Sequence, residues 1–537
     1  MGSGVYSGHY RSNDYGCVVE QCKYEMDSEK KMNRKKKLLL NTFAAIVQQV
    51  VTLICGFILP RLIISHYGSA TNGLISSITH FLAFFSMMEM GVGAVVRSSL
   101  YKPLAEHDHD QVSRVLISSR RFFRKIGTML CIYTVGLMIY FPLAVDHTNG
   151  YISTAVLVGA IAFSSISTYL FGIVYQQLLN ADQKSYVQLS INVLTTILNT
   201  AFGVILIEMD ARIETVKLLA SIVILLRPLL LKIYVDRHYD LNFKLELTEE
   251  PLKQKWNGLA QHIATYVLKH ADTIILTMFS TLENVSIYYV YHLVTNGLQQ
   301  MIEILTTGMS ALLGNMLAKK ETKKLLDTFE SFEFIIHTFV TIVYSIAGIM
   351  ILPFVSIYMK GVTDANYIVP SFAVLIVLAN ASYCLRMPYN TVIFAAGHFK
   401  QTQASSVIEA SINVVVSVIL VFHFGLIGVA IGTLVAMVYR TVYLAWYLRT
   451  NILNRSLQYF VQHLAVDAIT VFTVLISTRW VSITEPSWMM WIVQAIAVGV
   501  IVCGESLIIN MIFYRKIIRK SIDLMFKSKS ARRKTKK

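Results

Sequence analysis

Apolar positions in this chain come in long unbroken runs. They show neither the period of two of a half-buried strand nor the sparse stripe of a surface helix. From Leu38 to Phe513, runs of roughly 20 predominantly apolar residues recur, and few polar gaps exceed about 15 residues. A run of that length is what an α-helix needs to cross a bilayer's hydrocarbon core. The pattern predicts fourteen spans, at 38–62, 73–98, 126–145, 152–178, 185–207, 214–235, 258–280, 285–317, 332–357, 367–396, 403–423, 425–448, 460–482 and 488–513. The expected fold class is an all-α polytopic membrane protein.

Composition agrees. The 537 residues are 55% apolar and only 15% charged, against about 25% charge in soluble domains. The short connections leave no room for a soluble catalytic domain. A net charge of +16 would suit a nucleic-acid binder, but its distribution argues otherwise. Lys and Arg concentrate in the tails and in alternate connections. They include Arg34–Lys37, then Lys102, Arg114, Arg120, Arg121, Arg124 and Lys125, then Arg237, Lys244, Lys253 and Lys255, then Lys319, Lys320, Lys323 and Lys324, and finally the tail after Tyr514. The opposite connections Ser65–Asn72, Ser280–Asn284 and His423–Gly425 carry no Lys or Arg, and others carry little (Arg212, Lys217, Lys360). This bias predicts both termini on the cytoplasmic side. The tail 514–537 mixes Ile518, Ile522 and Met525 with cations, as a segment lying on an anionic leaflet would; a solvated tail fits as well. Residues 1–31 lack the apolar core of a signal peptide, and Met32, before Asn33-Arg34-Lys35, is an equally good start. Cys55, Cys131, Cys384 and Cys503 fall in apolar segments, as small packing residues, while Cys17 and Cys22 are too far apart for a redox CxxC.

An internal repeat runs through the spans. Ser190-Ile-Asn-Val recurs as Ser411-Ile-Asn-Val, with Gln188 and Glu409 two residues before. Ile126, Tyr133 and Pro142 match Ile336, Tyr344 and Pro353. Arg227 and Arg440 are each followed seven residues later by Tyr234 and Tyr447. The shared order and an offset of roughly 210–220 residues divide the chain into a basic tail (1–37), a first lobe (38–239), a linker (240–257), a second lobe (258–450), an appended helix pair (451–513) and a basic tail (514–537). Six spans per lobe put the pseudo-two-fold axis along the membrane normal.

Polar residues inside the spans fall on faces. In the eighth span His292, Asn296, Gln299, Glu303, Thr306 and Ser310 follow steps of three and four, which places them on one side of a helix. The seventh offers His262, Thr265, Lys269 and Thr273, with Asp272 at the edge. The first offers Asn41, Gln48 and Thr52, with Gln49 beside them, and the fifth Gln188, Asn192, Thr195 and Asn199. Such stripes must be kept from lipid. They hold helices together or line an aqueous path. Full charges favour the second role, since Lys or Asp at a helix centre costs about 2.5–3.5 kcal/mol on insertion scales. Lys269 and Asp272, three apart, either neutralise each other or leave Lys269 facing substrate. Candidate substrate-cavity residues are Arg61, Gln48, Gln49, Lys269, His262, His292, Asn296, Gln299 and Arg386. Candidate ion-coupling carboxylates are Glu89, Asp272, Glu303 and Glu409. Glu505 and Asp467 sit in the appended pair, where structural pairing is expected.

The sequence contains no HExxH, no GxxxxGK[ST] and no Gly-rich nucleotide fingerprint. His107 and His109 lack partners at metal spacing, so neither catalysis, nor a cofactor, nor a resident metal is expected. Asn284-Val-Ser matches a glycosylation acceptor in a very short loop.

The stretch Pro60-Arg-Leu-Ile-Ile-Ser-His-Tyr-Gly-Ser-Ala-Thr-Asn-Gly-Leu-Ile-Ser-Ser, followed by Glu89-Met-Gly-Val-Gly and Leu100-Tyr-Lys-Pro-Leu-Ala, resembles the Wzx-like polysaccharide flippases of the multidrug/oligosaccharidyl-lipid/polysaccharide exporter superfamily. His270-Ala-Asp-Thr-Ile-Ile-Leu-Thr, Val285-Ser-Ile-Tyr and Gly425-Leu-Ile-Gly-Val-Ala-Ile-Gly-Thr are similar to that family's second-half segments. The resemblance implies a non-enzymatic, alternating-access transporter of the bacterial cytoplasmic membrane, moving a polyprenyl-diphosphate-linked oligosaccharide between leaflets. It further implies H⁺, Na⁺ or membrane-potential coupling, polysaccharide assembly proteins as partners, and a cavity lined by spans 1, 2, 7 and 8. The fourteen-span count is like that of the superfamily's lipid II flippases. The alternatives are a multidrug/cation antiporter of the same fold or an integral-membrane polymerase or glycosyltransferase, the latter disfavoured by outward loops too short for a catalytic domain.

Overall fold

The computed structural model describes residues 34–146, 150–245, 259–481, 487–515 and 517. The N-terminal tail before residue 34, most of the linker and the tail beyond residue 517 lie outside them. The described residues form helices and their connections, with no strand. Helices α1 (Arg34–Tyr67), α2 (Ser69–Leu82), α3 (Ser86–Glu106), α4 (His109–Ala144), α5 (Tyr151–Ala181), α6 (Ser185–Glu208) and α7 (Ile213–His238) make the first lobe. The second contains α8 (Leu259–Phe279), α9 (Leu282–Ala318), α10 (Thr322–Tyr358), α11 (Pro370–Ala395), α12 (Phe399–Phe424) and α13 (Leu426–Leu453), followed by α14 (Gln458–Ser477) and α15 (Trp488–Phe513).

Among the described residues, twelve helices are long and apolar enough to cross a membrane, against the fourteen spans predicted. The two that fall short are spans two and seven. Span two is interrupted by a tight 3₁₀ turn at Ala83–Phe85, where the Ser86 hydroxyl donates to Ala83 O at 2.6 Å and competes with the helical ladder. Span seven, α8, carries the polar face that the sequence shows. Several helices also outrun their predicted bounds. α4 starts at His109 rather than 126, because Asp108 caps it through Gln111 N at 2.8 Å and the connection expected there is helical.

Each lobe closes on its own apolar core. One is built from Leu74, Phe123, Phe141, Ile173 and Leu231, the other from Tyr291, Phe329, Phe372, Ile393 and Val429. α14 and α15 pack on α10, α15 through apolar residues such as Val498 and Val502 and α14 through a polar network. Buried Glu333 accepts from Tyr389 Oη at 2.8 Å and pairs with Arg455, while His337 bridges Asp467 Oδ2 (2.7 Å) and Tyr389 (3.0 Å). Asp467 is therefore paired; Glu505 Oε2 is buried without a partner. At the start of α1, Asp182 accepts from Tyr239 Oη at 2.6 Å and pairs with Lys37 and Lys184. Burial, reinforced by the Asp182 charge, raises the Tyr239 pKa and keeps its hydroxyl a donor.

Candidate functional site

The lobes meet mainly along α2, which lies against α8 and α9. Its small polar residues permit close approach, and Ser69, Asn72 and Ser77 find partners across the seam. Ser69 N and Oγ donate to Asp364 at 2.6 and 2.8 Å. Tyr367 Oη donates to Ser69 Oγ at 2.8 Å and lies 2.8 Å from Ser286 Oγ. Asn72 Nδ2 donates to Ser286 at 2.8 Å, and Ser77 meets Thr277 at 2.7 Å. Tyr358 Oη donates to Phe57 O at 2.5 Å, and Arg61 Nη2 to Lys360 O at 2.6 Å. All lie in the half of the bundle that holds the sparsely charged connections. That end is closed by a continuous seam of hydrogen bonds.

Below the seam is a cavity of about 740 Å³, walled by α8, α9, α11, α12 and α13. The first lobe contributes His80, from α2, to its lining. His80 Nδ1 lies 2.9 Å from His270 Nδ1, and Tyr266 Oη donates to His80 O at 3.1 Å. Of the eighth-span stripe, His292, Asn296, Gln299 and Glu303 line the cavity, together with Gln300 from beside it, while Thr306 and Ser310 are not part of the lining. Gln299 Nε2 donates to Glu303 Oε1 at 2.9 Å, and His292 Nδ1 is buried without a partner.

Lys269, Arg386 and Arg440 supply positive charge to the wall, and Asp272, Glu303 and Glu409 negative charge. Pro388 cannot continue the helical ladder, and α11 is interrupted at Arg386. There the guanidinium lies over the Tyr383 ring at 4.3 Å and pairs with Glu409. Arg440 Nε approaches Glu409 at 3.8 Å and its Nη1 donates to Thr402 O at 3.1 Å and to Ser405. Glu409 is thus held between two buried arginines. Asp272 is buried and makes no ion pair among the described residues. Its carboxylate accepts from Tyr288 Oη (2.9 Å), Asn413 Nδ2 (3.0 Å) and Thr433 Oγ1 (2.6 Å). Asn413 Oδ1 is buried and unpartnered beside it. Lys269 is exposed, lines the cavity and makes no ion pair with Asp272, so the two do not neutralise each other. Of the three cations, Lys269 is the one that no carboxylate engages among the described residues.

The remaining candidates lie elsewhere. Gln49 Nε2 donates to Gln300 Oε1 at 2.6 Å, tying α1 to α9, and Gln48 Oε1 is buried without a partner. Glu89 stays within the first lobe, 3.5 Å from Tyr169 Oη. Arg61 sits at the closed end, outside the cavity. His262 belongs to α8, and its side chain lies outside the described residues. Sequence reasoning missed His80, His270, Tyr288, Asn413 and Thr433 as wall or carboxylate partners. Arg440 appeared only as a repeat marker, yet a repeated arginine inside a span was the signal that could have found it. No group of three His, Cys, Asp or Glu among the described residues is arranged to hold a metal ion.

No family model and no curated protein sequence matches the chain. Solved structures do. A lipid II flippase, MurJ, in an inward closed conformation, superposes with a TM-score of 0.67 at 15% identity, covering 89% of this chain and 100% of that one. A multidrug resistance MATE family transporter of the MOP superfamily in an inward-facing conformation gives 0.60 at 14% identity, covering 76% and 99%. An outward-facing MATE transporter gives 0.55 at 14%, covering 79% and 98%. With twelve candidate spans among the described residues and this superposition over most of its length, the chain has the fold that these transporters share.

Proposed function

We propose that the chain is an alternating-access flippase that moves a polyprenyl-diphosphate-linked oligosaccharide across a bacterial cytoplasmic membrane, with both termini cytoplasmic. The observation that carries this reading is the cavity of about 740 Å³, rich in amides, hydroxyls and cations and sealed at the opposite end from the basic connections. Amides and hydroxyls suit sugars. A diphosphate needs cations, and Lys269, free of carboxylates, is the one available to it. A seam of hydrogen bonds between lobes, with few apolar residues such as Ile64 crossing it, suits a rocking mechanism, because such a seam separates without unfolding either lobe.

Asp272 is the proposed coupling-ion site. A buried carboxylate with an unpartnered amide oxygen beside it, and hydroxyls from Tyr288 and Thr433, offers an all-oxygen environment suited to Na⁺ or to a proton on the carboxylate itself. Glu303 is the alternative carboxylate.

The test is lipid-linked oligosaccharide flipping in proteoliposomes, read with a membrane-impermeant sugar-modifying reagent, with and without Na⁺ and H⁺ gradients. Lys269→Ala is expected to slow flipping about tenfold or more, the scale of losing a charge-assisted contact, while Lys217→Ala leaves it near wild type. Equal rates for the two variants remove Lys269 as a phosphate contact. Gradient-driven uptake of an organic cation without flipping assigns the chain to the antiporter branch, the function that the Asp272 site alone would favour.

A further inference from the structure

A second, larger recess lies on the membrane-facing flank, near the closed end. It has a volume of about 1090 Å³, and its walls come from α1, α6, α10 and the start of α15. None of its lining residues is shared with the cavity. The walls are apolar and aromatic. Phe57 packs edge-on to Phe354 at 5.6 Å, and Phe354 to Trp488 at 6.0 Å, with Ile54 and Ile58 beside them. Tryptophan at this level is typical of the interfacial zone of a bilayer. Two cations, Arg61 and Lys360, line the recess. Arg61 gives Nη2 to Lys360 O at 2.6 Å, while its Nη1 is buried with no acceptor. A buried guanidinium nitrogen without a partner implies a missing acceptor.

We propose that this recess holds a resident glycerophospholipid of the adjoining leaflet, its chains against Ile54, Phe57 and Ile58 and its phosphate on Arg61. Apolar walls beside a single guanidinium fit a lipid with an anionic head, and a planar guanidinium matches phosphate geometry. Separation from the cavity argues for a resident lipid rather than the transported one. The walls belong to both lobes, so the lipid binds the closed-end state and is released when the seam opens. The inference rests on the chain being embedded in a bilayer and not on the nature of its transported substrate.

The full-length protein is reconstituted in nanodiscs of phosphatidylglycerol alone, released into mild detergent, and weighed by native mass spectrometry. Wild type is expected to retain one phosphatidylglycerol. Arg61→Gln should lower its affinity about tenfold or more. Ile58→Trp, which fills the recess with Arg61 intact, should do the same, and diacylglycerol of identical chains should not replace the phospholipid. Equal retention by all three proteins overturns the proposal, as does equal retention of diacylglycerol. Retention seen only after a polyprenyl diphosphate is added makes the recess a site for the carrier lipid instead. Should Arg61→Gln fail to fold, the Ile58→Trp and diacylglycerol arms still decide. Absence of flipping in proteoliposomes leaves all these readouts unchanged.

Discussion

Replacing Asp364 by alanine should open the sealed end of the bundle. Asp364 belongs to the second lobe, in the connection between α10 and α11, yet it receives both the backbone N–H and the hydroxyl of Ser69, the first residue of α2 in the other lobe. It therefore caps α2 across the seam, and only while the lobes are together. A lost helix cap costs about 0.5–2 kcal/mol, and a hydrogen bond to a charged group is worth about 1.5–3 kcal/mol. Asp364 faces solvent, and water replaces part of each bond once the lobes part, so the low end applies to both bonds together, about 2 kcal/mol. At 1.4 kcal/mol per decade, that shifts the closed-to-open ratio about 30-fold. The reporter is Ser76→Cys in a cysteine-free background. Ser76 is buried, its hydroxyl has no partner, and it lies four residues from both Asn72 and His80 on the same face of α2. The reporter therefore removes no seam contact. The labelling rate by an impermeant maleimide added from outside should rise in proportion to the open fraction. A rate within twofold of the parent refutes the seam as the closing element, and a rise seen only with reagent inside the vesicles reverses the proposed orientation.

Gly68, with φ +86°, holds a backbone conformation that other residues rarely adopt, and an added Cβ would lie 3.1 Å from Asp364 Oδ2. Gly68→Ala should weaken the same contact by about 1–3 kcal/mol and raise Ser76→Cys labelling in the same direction. Asp272→Asn should abolish the dependence of flipping on the Na⁺ or H⁺ gradient, measured as the ratio of rates with and without it; an unchanged ratio moves coupling to Glu303. Glu409→Gln leaves Arg386 and Arg440 buried without their shared acid and should lower stability by about 3–5 kcal/mol, read as a fall in melting temperature in detergent. An unchanged melting temperature would show that water, not Glu409, balances the two arginines.

The spans were legible because a bilayer imposes its thickness on the sequence, and the stripe of α9 was legible because helical period and polarity suffice to place one face. Lys269 and Asp272 stood out for the same reason, as full charges where charge is expensive. What a single sequence could not show is which distant groups meet. Arg386 and Glu409 are 23 residues apart on different helices, and their pairing depends on an interruption in α11. Asp364 lay in a connection read only for its sparse positive charge, at Lys360, and its role exists only through Ser69 on the opposite lobe. The expected cavity lining by spans one and two was drawn from resemblance. In this closed state α1 runs beside the cavity, and of α2 His80 reaches it.

The internal repeat shows why the two lobes are not interchangeable. In the second lobe Arg440 meets Glu409 and α8 carries Asp272. In the first, the matching Arg227 donates instead to the hydroxyls of Thr195 and Thr196, at 2.6 and 3.1 Å. Gln188 stands where Glu409 stands, and α1 contains no acid. Both lobes thus carry a span arginine, while the acids that line the cavity, Asp272, Glu303 and Glu409, all come from the second. Each buried acid carries a desolvation penalty that must be met by partners held in place. Two rocking lobes need only one such site, provided the other can seal it. In the proposed cycle the second lobe holds the coupling ion and the diphosphate. The first lobe closes over them through α2, whose small residues Ser69, Asn72, Gly73 and Ser77 let two helices approach closely and part again. Charge introduced into the first lobe, as Gln188→Glu in α6, should therefore leave ion coupling unchanged, whereas Glu409→Gln disturbs the lobe that carries it.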